Sequence, residues 1–400
     1  MIDEYWWHRP DLCYKKNKLH FSGHDANMLA SQFNCPAFFY SGERVVSNLL
    51  RIKDSLVKCL PNIQHKIYYA MKANRFSPLL TFLKTQKLCG IDACSPNEVE
   101  LALSCGFGPH EISFTACSLS KRDFSQLSNY EGLIMNCDSL HSIRSWGKLK
   151  PGSKIGIRIN PEMGTGRTNN DMLQYAGNKI TKFGIYKEQF KEALQLAKTY
   201  DLIIDRIHFH TGCGYLNSEL EQWQKVLKKS LWFIQKCPDL CAINIGGGLG
   251  VPHTQNDQRL NLDLWAETIA QVFGRLNVQI EVEPGDFLVK DAGLLLVEKT
   301  FLEIKKNKTF VGVNAGFNIA PEPAYYSMPF EPISLMNKKE TIKVSVVGNI
   351  NEALDIWYED ITLPDIADQK FLAIINSGAY SSSMSSNHCM RGAFKEVLLI

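Results

Sequence analysis

The sequence predicts an α/β chain: a (β/α)8 barrel followed by a second, all-β domain of sandwich or barrel-like form. Three observations carry that prediction. Strand-like apolar runs alternate with helical stretches about eight times over roughly 250 residues, which is the arithmetic of such a barrel. Polar residues recur just past the strand ends, at Lys72, Asp92, Asn136, Arg158, His210, Gly246 and Glu283, where barrel strands bring their chemistry together. From about residue 290 the helices drop out and strand follows strand. A doubly wound open sheet is the runner-up for the first region.

Taken in order, residues 1–36 read as irregular, with Trp6, Trp7, Leu19 and Phe21 offering a strand or two that pack elsewhere. A short strand at 38–40 precedes a helix over 43–60, marked by Val45, Val46, Leu49, Leu50 and Ile52. The run 67–74 is apolar, β-branched and aromatic, and ends on Lys72, so it reads as a buried strand with an amine at its carboxyl end. Helices are expected from Ser77, over 96–104, from Ser139, and over 188–199, 217–236 and 262–275. The strands between them fall at 90–94, 111–115, 132–136, 154–160, 202–210, 241–246 and 278–283, with a polar loop over 164–178 leading to a short apolar run at 182–185. The later strands are 294–303, 310–315, 341–347, 371–375 and 394–400. The expected division is a barrel over 37–288, with 1–36 and 289–400 forming the β domain, which contributes to the substrate site and a dimer interface.

With 400 residues, 45% hydrophobic and 21% charged, the chain can bury a large core. A net charge of +3 without a basic tract argues against nucleic acid. No apolar run reaches the ~18 residues that cross a bilayer, and the acidic start lacks a signal core, so no membrane is expected. Twelve scattered cysteines suit a reducing cytoplasm. His208 and His210 share a face of an extended chain, but no third ligand has suitable spacing, so no metal is expected.

The chemistry begins at Lys72. Desolvation there would lower its pKa and free an amine for a Schiff base with an aldehyde. His210 reaches the barrel mouth, with His208 one layer deeper. The glycines of 246–250 expose N–H groups that suit a phosphate, and Glu283, before Pro284 and Gly285, can pair with a protonated ring nitrogen. Each alone also has a plain reading: a solvent-facing strand cap, a packed histidine, a tight turn, an outward glutamate. Together they describe pyridoxal 5'-phosphate used as an electron sink.

The runs Tyr69-Ala70-Met71-Lys72-Ala73-Asn74, His210-Thr211-Gly212-Cys213-Gly214, Gly246-Gly247-Gly248, Glu283-Pro284-Gly285 and Gly378-Ala379-Tyr380 resemble the alanine racemase-like (fold type III) pyridoxal phosphate enzymes. Within them the likeness is to the diaminopimelate and ornithine decarboxylases. The resemblance implies that Lys72 is the Schiff-base lysine and that His210 stacks on the ring. It implies that Cys213 replaces a phosphate-binding serine, that Gly246, Gly247, Gly248, Gly285 and Tyr380 surround the phosphate, and that Glu283 pairs with the ring nitrogen. Asp92 and Arg158 would line the site. It also implies a head-to-tail homodimer, with the loop 348–355 reaching into the partner's site.

The departures concern catalysis and specificity. Asn351-Glu352 stands where a Cys-Glu pair is usual, so Lys72, a water or a shifted cysteine must supply the proton that a thiol would give. Asp286 and Glu322 stand near positions that are usually arginine; with Tyr326, Glu352 and Asp355 they would form the substrate's distal end, repelling a carboxylate and attracting an ammonium. The resemblance therefore implies an α-decarboxylase of a small basic or amine-extended amino acid, such as a diamino acid or carboxylated polyamine. The alternatives are a diaminopimelate decarboxylase producing L-lysine, a racemase, epimerase or decarboxylation-linked transaminase, and a non-catalytic binder of pyridoxal phosphate.

Overall fold

The computed structural model describes residues 5–167, 170–173, 175–177 and 179–400; the acidic start at residues 1–4 and Asn178 of the polar loop lie outside the described residues. Eight parallel strands close into a barrel. Numbered along the chain they are β1 (His65–Ala70), β2 (Gly90–Ala93), β3 (Ile112–Ala116), β4 (Ile134–Cys137), β5 (Lys154–Arg158), β6 (Ile203–His208), β7 (Ala242–Asn244) and β8 (Gln279–Val282). Each pairs with the next, and β8 pairs with β1, so the open-sheet alternative is excluded.

The helices around the barrel follow from amphipathic spacing and caps. Gly42–Cys59 buries Val45, Leu49, Ile52 and Leu56 on one stripe, and Ser41 caps it by accepting the Arg44 N–H. Pro96–Ser104 begins with proline at its first position behind the Ser95 cap. Lys121–Leu127, which the periodicity did not predict, is only two turns long and is fixed by a reciprocal Ser120–Asp123 box.

Strand β1 buries Ile67, Tyr68, Tyr69 and Ala70 in succession, because a parallel strand in a barrel is covered on both faces. A buried side chain of this size contributes about 1.5–3 kcal/mol. The strand stops at Ala70, earlier than expected, and Lys72 lies in a 3-10 turn, Met71–Ala73. The turn is pulled out of the ladder from both sides: the Tyr69 hydroxyl donates to the Asn74 carbonyl at 2.7 Å, and the Tyr380 N–H donates to the Ala73 carbonyl at 2.8 Å.

The second sheet orders Pro332–Ser334, Phe371–Ile375, Gly293–Lys305, Lys308–Val313, Thr341–Val347 and Ile356–Pro364. Two of these, Pro332–Ser334 and Ile356–Pro364, were not anticipated. Ala37–Ser41, placed with the barrel by a boundary at residue 37, pairs antiparallel with the start of Gly293–Lys305 and parallel with Lys395–Leu399. The two ends of the chain thus meet in one sheet. Residues 5–36 are more regular than expected. Leu12–Lys15, Lys18–Phe21 and His24–Asp25 form a meander, followed by a helix Ala26–Phe33 capped by Asp25. Its Trp7, Leu12, Leu19 and Phe21 are buried with Phe39, Leu294 and Ile333, so N-terminal material completes the β domain. Among the described residues no helix is long and apolar enough to cross a membrane.

Candidate active site

The carboxyl ends of the barrel strands converge by register. Arg158, His208 and Asn244 are direct neighbours at the ends of β5, β6 and β7. Glu281 is the neighbour of Asn244 on β8, so Glu283, two residues on, stands one step above it on the same face. Beneath them Arg206 Nε donates to Glu281 at 2.8 Å, closing the barrel interior with an ion pair.

Glu283 is the best-held carboxylate of the group. Its Oε2 accepts from His208 Nε2 at 2.9 Å, and its Oε1 accepts from Asn244 Nδ2 at 2.7 Å and Ser113 Oγ at 3.3 Å. Burial would raise its pKa, but the charge and hydrogen bond of His208, with Asn244, hold it at about 2. His210 is the converse. Burial, then the neighbouring Lys72 and Arg158, keep its pKa well below the usual histidine range, so the ring is neutral. Its Nδ1 accepts the Gly247 N–H at 3.3 Å, which places the ring proton on Nε2. The ring of Tyr175 lies 4.9 Å from it, centroid to centroid.

Lys72 departs from expectation. Burial alone would lower its pKa, but the adjacent Asp92 carboxylate, with Tyr175 behind it, more than offsets this and favours the ammonium. Asp92 is itself pushed well up by burial and by Glu283. The amine becomes free when Asp92 takes the proton, so the pair, rather than desolvation alone, sets the state of Lys72.

The glycine loop has the backbone that a phosphate cradle needs. Gly246 and Gly248 have φ of 68° and 98°, and a Cβ on Gly247 or Gly248 would lie 2.1 Å from the Glu283 carbonyl or 2.2 Å from the Gly212 carbonyl. Burial pushes the Cys213 thiol up to about 11, so it stays protonated and can donate as a serine hydroxyl would. Lys72, Asp92, Arg158, His210, Cys213, Gly247, Gly248, Glu283, Gly285 and Tyr380 line one pocket. Gly246 sits behind it, its N–H donated to Asn244 Oδ1 at 2.9 Å. An amine, a neutral ring, a carboxylate fixed as an anion and a glycine cradle fit pyridoxal phosphate in kind and in order. Sequence reasoning missed Ser113, Tyr175 and Asn244. The position of Asn244, at a strand end just before the glycines, was the signal available for it.

The distal end differs from expectation. Asp286 and Glu322 do face one region, but Lys290 stands between them. Its Nζ is 3.1 Å from Asp286 Oδ1 and in close contact with Glu322 Oε2, and its side chain is 1% exposed. The two acids are thus partners of a buried cation rather than free to meet a substrate's ammonium. Lys290 was missed because it lies four residues past Asp286, one helical turn on, in a run that reads as apolar. Tyr326 lines an adjoining pocket with Arg167 and His253. Asp355 spends its carboxylate on the N–H groups of Phe317 and Ile350, at 2.8 and 2.7 Å, and so braces its own loop rather than facing a substrate. Asn351 and Glu352 are exposed and outside the pocket of their own chain, with Glu352 Oε1 3.4 Å from His388 Nε2.

A sequence profile described as "Pyridoxal-dependent decarboxylase, pyridoxal binding domain" matches residues 45–290. The diaminopimelate decarboxylase of Methanothermobacter thermautotrophicus is 30% identical, over 96% of this chain and 91% of its own length. That of Buchnera aphidicola from Acyrthosiphon pisum is 31% identical over 83% of each. Among solved structures, diaminopimelate decarboxylase from Helicobacter pylori complexed with L-lysine superposes with a TM-score of 0.84 at 27% identity, covering 94% of both chains.

Proposed function

Since this chain belongs to the pyridoxal-dependent decarboxylase family, we propose that its substrate is a diamino dicarboxylic acid, meso-diaminopimelate, and its product L-lysine. The enzyme is a pyridoxal phosphate-dependent amino-acid decarboxylase. Bound pyridoxal phosphate supplies the electron-accepting ring for loss of the α-carboxylate. The chain's own groups prepare that chemistry. Glu283, kept anionic by His208 and Asn244, would hold a proton on the ring nitrogen. Neutral His210 would pack on the ring without competing for that proton. The N–H groups of Gly247 and Gly248, with Cys213 and Tyr380, line the same pocket and would hold the phosphate. Lys72 carries the amine for the aldehyde, and its ammonium, poised by Asp92, is the group we assign to return a proton to the substrate's α-carbon.

The observation that carries the substrate reading is Lys290. Unpaired, Asp286 and Glu322 would repel a distal carboxylate; the buried ammonium between them offsets part of that repulsion. One observation favours a second reading, a basic amino acid without the distal carboxylate: a single ammonium faces two carboxylates. Carbon dioxide release by the cofactor-loaded enzyme from meso-diaminopimelate, L-lysine, L-ornithine and L-arginine separates the two. The first reading expects a kcat/KM for meso-diaminopimelate at least about tenfold above the others. A higher value for any of the basic amino acids would overturn it in favour of the second.

The active unit in this reading is a head-to-tail homodimer. The support is that Asn351 and Glu352 are exposed and do not reach their own pocket, so a partner's site is where they act. Cytoplasmic residence is proposed from the twelve free cysteines.

A further inference from the structure

Away from the cofactor pocket, a second pocket lies between the N-terminal segment, the helix Gly42–Cys59 and the segment after β8. Arg9, Arg44, Arg51 and Arg259 converge on it. Arg44 and Arg51 are seven residues apart on one helix, two turns on the same face. The described carboxylates are too few for these cations. Asp291 accepts from Arg44 Nε at 3.2 Å and from Asn48 at 2.8 Å, and Asp11 accepts from Arg9 Nε at 2.9 Å. Among the described residues no carboxylate pairs with Arg51 or Arg259.

Those two guanidiniums are nevertheless held in place. Arg51 donates to Asn48 Oδ1 at 3.0 Å and lies 5.2 Å over the Phe287 ring, while Arg259 donates to the Trp6 carbonyl at 3.4 Å. Burial, with the charges of Arg44 and Arg259, lowers the pKa of Arg51, and the Asp291 carboxylate offsets this only in part. Among the described residues four guanidiniums meet two carboxylates here, an excess of two positive charges, with Arg259 at the exposed side of the pocket. Each unpaired guanidinium retains planar, forked donors that match carboxylate and phosphate oxygens.

We propose that this pocket is a binding site for a compact oxyanion carrying two or more charges, held chiefly by Arg51 and Arg259. The site is separate from the cofactor pocket yet backs onto it. Phe287 and Asp291 wall the arginine pocket, and they alternate along the chain with Asp286 and Lys290 of the ion cluster beside the cofactor pocket. Phosphate and carboxylate ligands share the required chemistry, so the test carries both.

Calorimetric titration of the cofactor-loaded enzyme with inorganic pyrophosphate and, separately, with succinate measures binding while the cofactor's own phosphate site is filled. Saturable binding of at least one anion, one per chain, is expected. Arg51→Gln and Arg259→Gln should each weaken it by about tenfold, the usual worth of a charge-assisted hydrogen bond. Pyrophosphate binding alone would assign the site to phosphates, and succinate binding alone to dicarboxylates. The absence of saturable binding of either, or variants that bind as the parent does, would overturn the proposal. Arg259→Gln changes an exposed loop residue, and its visible cofactor band certifies the fold.

Discussion

Replacing Lys290 by methionine should destabilise the protein in a pH-dependent way. The lysine is 1% exposed and is the only described cation in contact with both Asp286 and Glu322. Removing one member of a buried pair costs about 3–5 kcal/mol. Unfolding entropy of about 2.1 cal/mol/K per residue, over 400 residues, converts that into a fall in Tm of about 4–6 °C. The pH sign follows from the carboxyls. Burial, against the pull of Lys290, holds Glu322 at about 7, above its ordinary value, and raises Asp286 as well. A carboxyl raised on folding binds its proton more tightly in the folded state, so stability declines as pH rises through that range. Without Lys290 both carboxyls rise further. The loss should therefore be full at pH 8 and should shrink toward pH 5.5, where protons replace the missing cation. Thermal melts of the cofactor-loaded parent and variant at both pH values measure this, and adding Glu322→Gln should restore part of the loss at pH 8. An equal loss at both pH values, or none at pH 8, would refute the assignment of Lys290 as the neutralising charge.

Other outcomes follow from the same geometry. Glu283→Gln should lower kcat at least about 100-fold while leaving the visible cofactor band in place. In the parent, Glu283 at about 2 adds about 3 kcal/mol of stability above its unfolded pKa, lost as pH falls toward 2, a shift that acid melts of the same variant should lack. His208→Asn removes the charge and the hydrogen bond that do most to keep that carboxylate anionic. The acidic limb of its kcat profile should move to higher pH, which a purely structural lesion would not do. Lys72→Ala should abolish both the visible band and turnover. Co-folding it with Glu352→Ala should recover activity in the mixed dimers if the loop serves the partner's site, and mixtures as inactive as the separate variants would count against that arrangement.

The barrel was legible because its code is short-range. Strands such as His65–Ala70 are continuous apolar runs, and capped amphipathic helices separate them. The site was legible at strand ends for the same reason, since Lys72, His210, Gly247 and Glu283 each follow an apolar run directly. The pairing partners were harder to read. The contact of Lys290 with Glu322 spans 32 positions, and nothing local distinguishes a buried lysine from an exposed one. The acids were therefore read with the right identity and the wrong company. The strand Ile356–Pro364 was obscured by its exposed charged residues, Glu359 and Asp360, which edge strands tolerate. The helix Ala26–Phe33 was too short for periodicity to announce.

The turn that carries Lys72 is fastened by the far end of the chain. The Tyr380 N–H and the Ser383 hydroxyl both donate to the Ala73 carbonyl, at 2.8 and 2.9 Å, and Asn74 Nδ2 donates to the Gly378 carbonyl at 3.0 Å. A nascent chain folds its earlier domain first, so a barrel emerging from the ribosome would have its strands before this turn had its fasteners. The placing of Lys72 therefore depends on the segment 378–383. A chain lacking that segment would hold its reactive lysine on an unfastened turn, and weakened capture of the cofactor would report the loss.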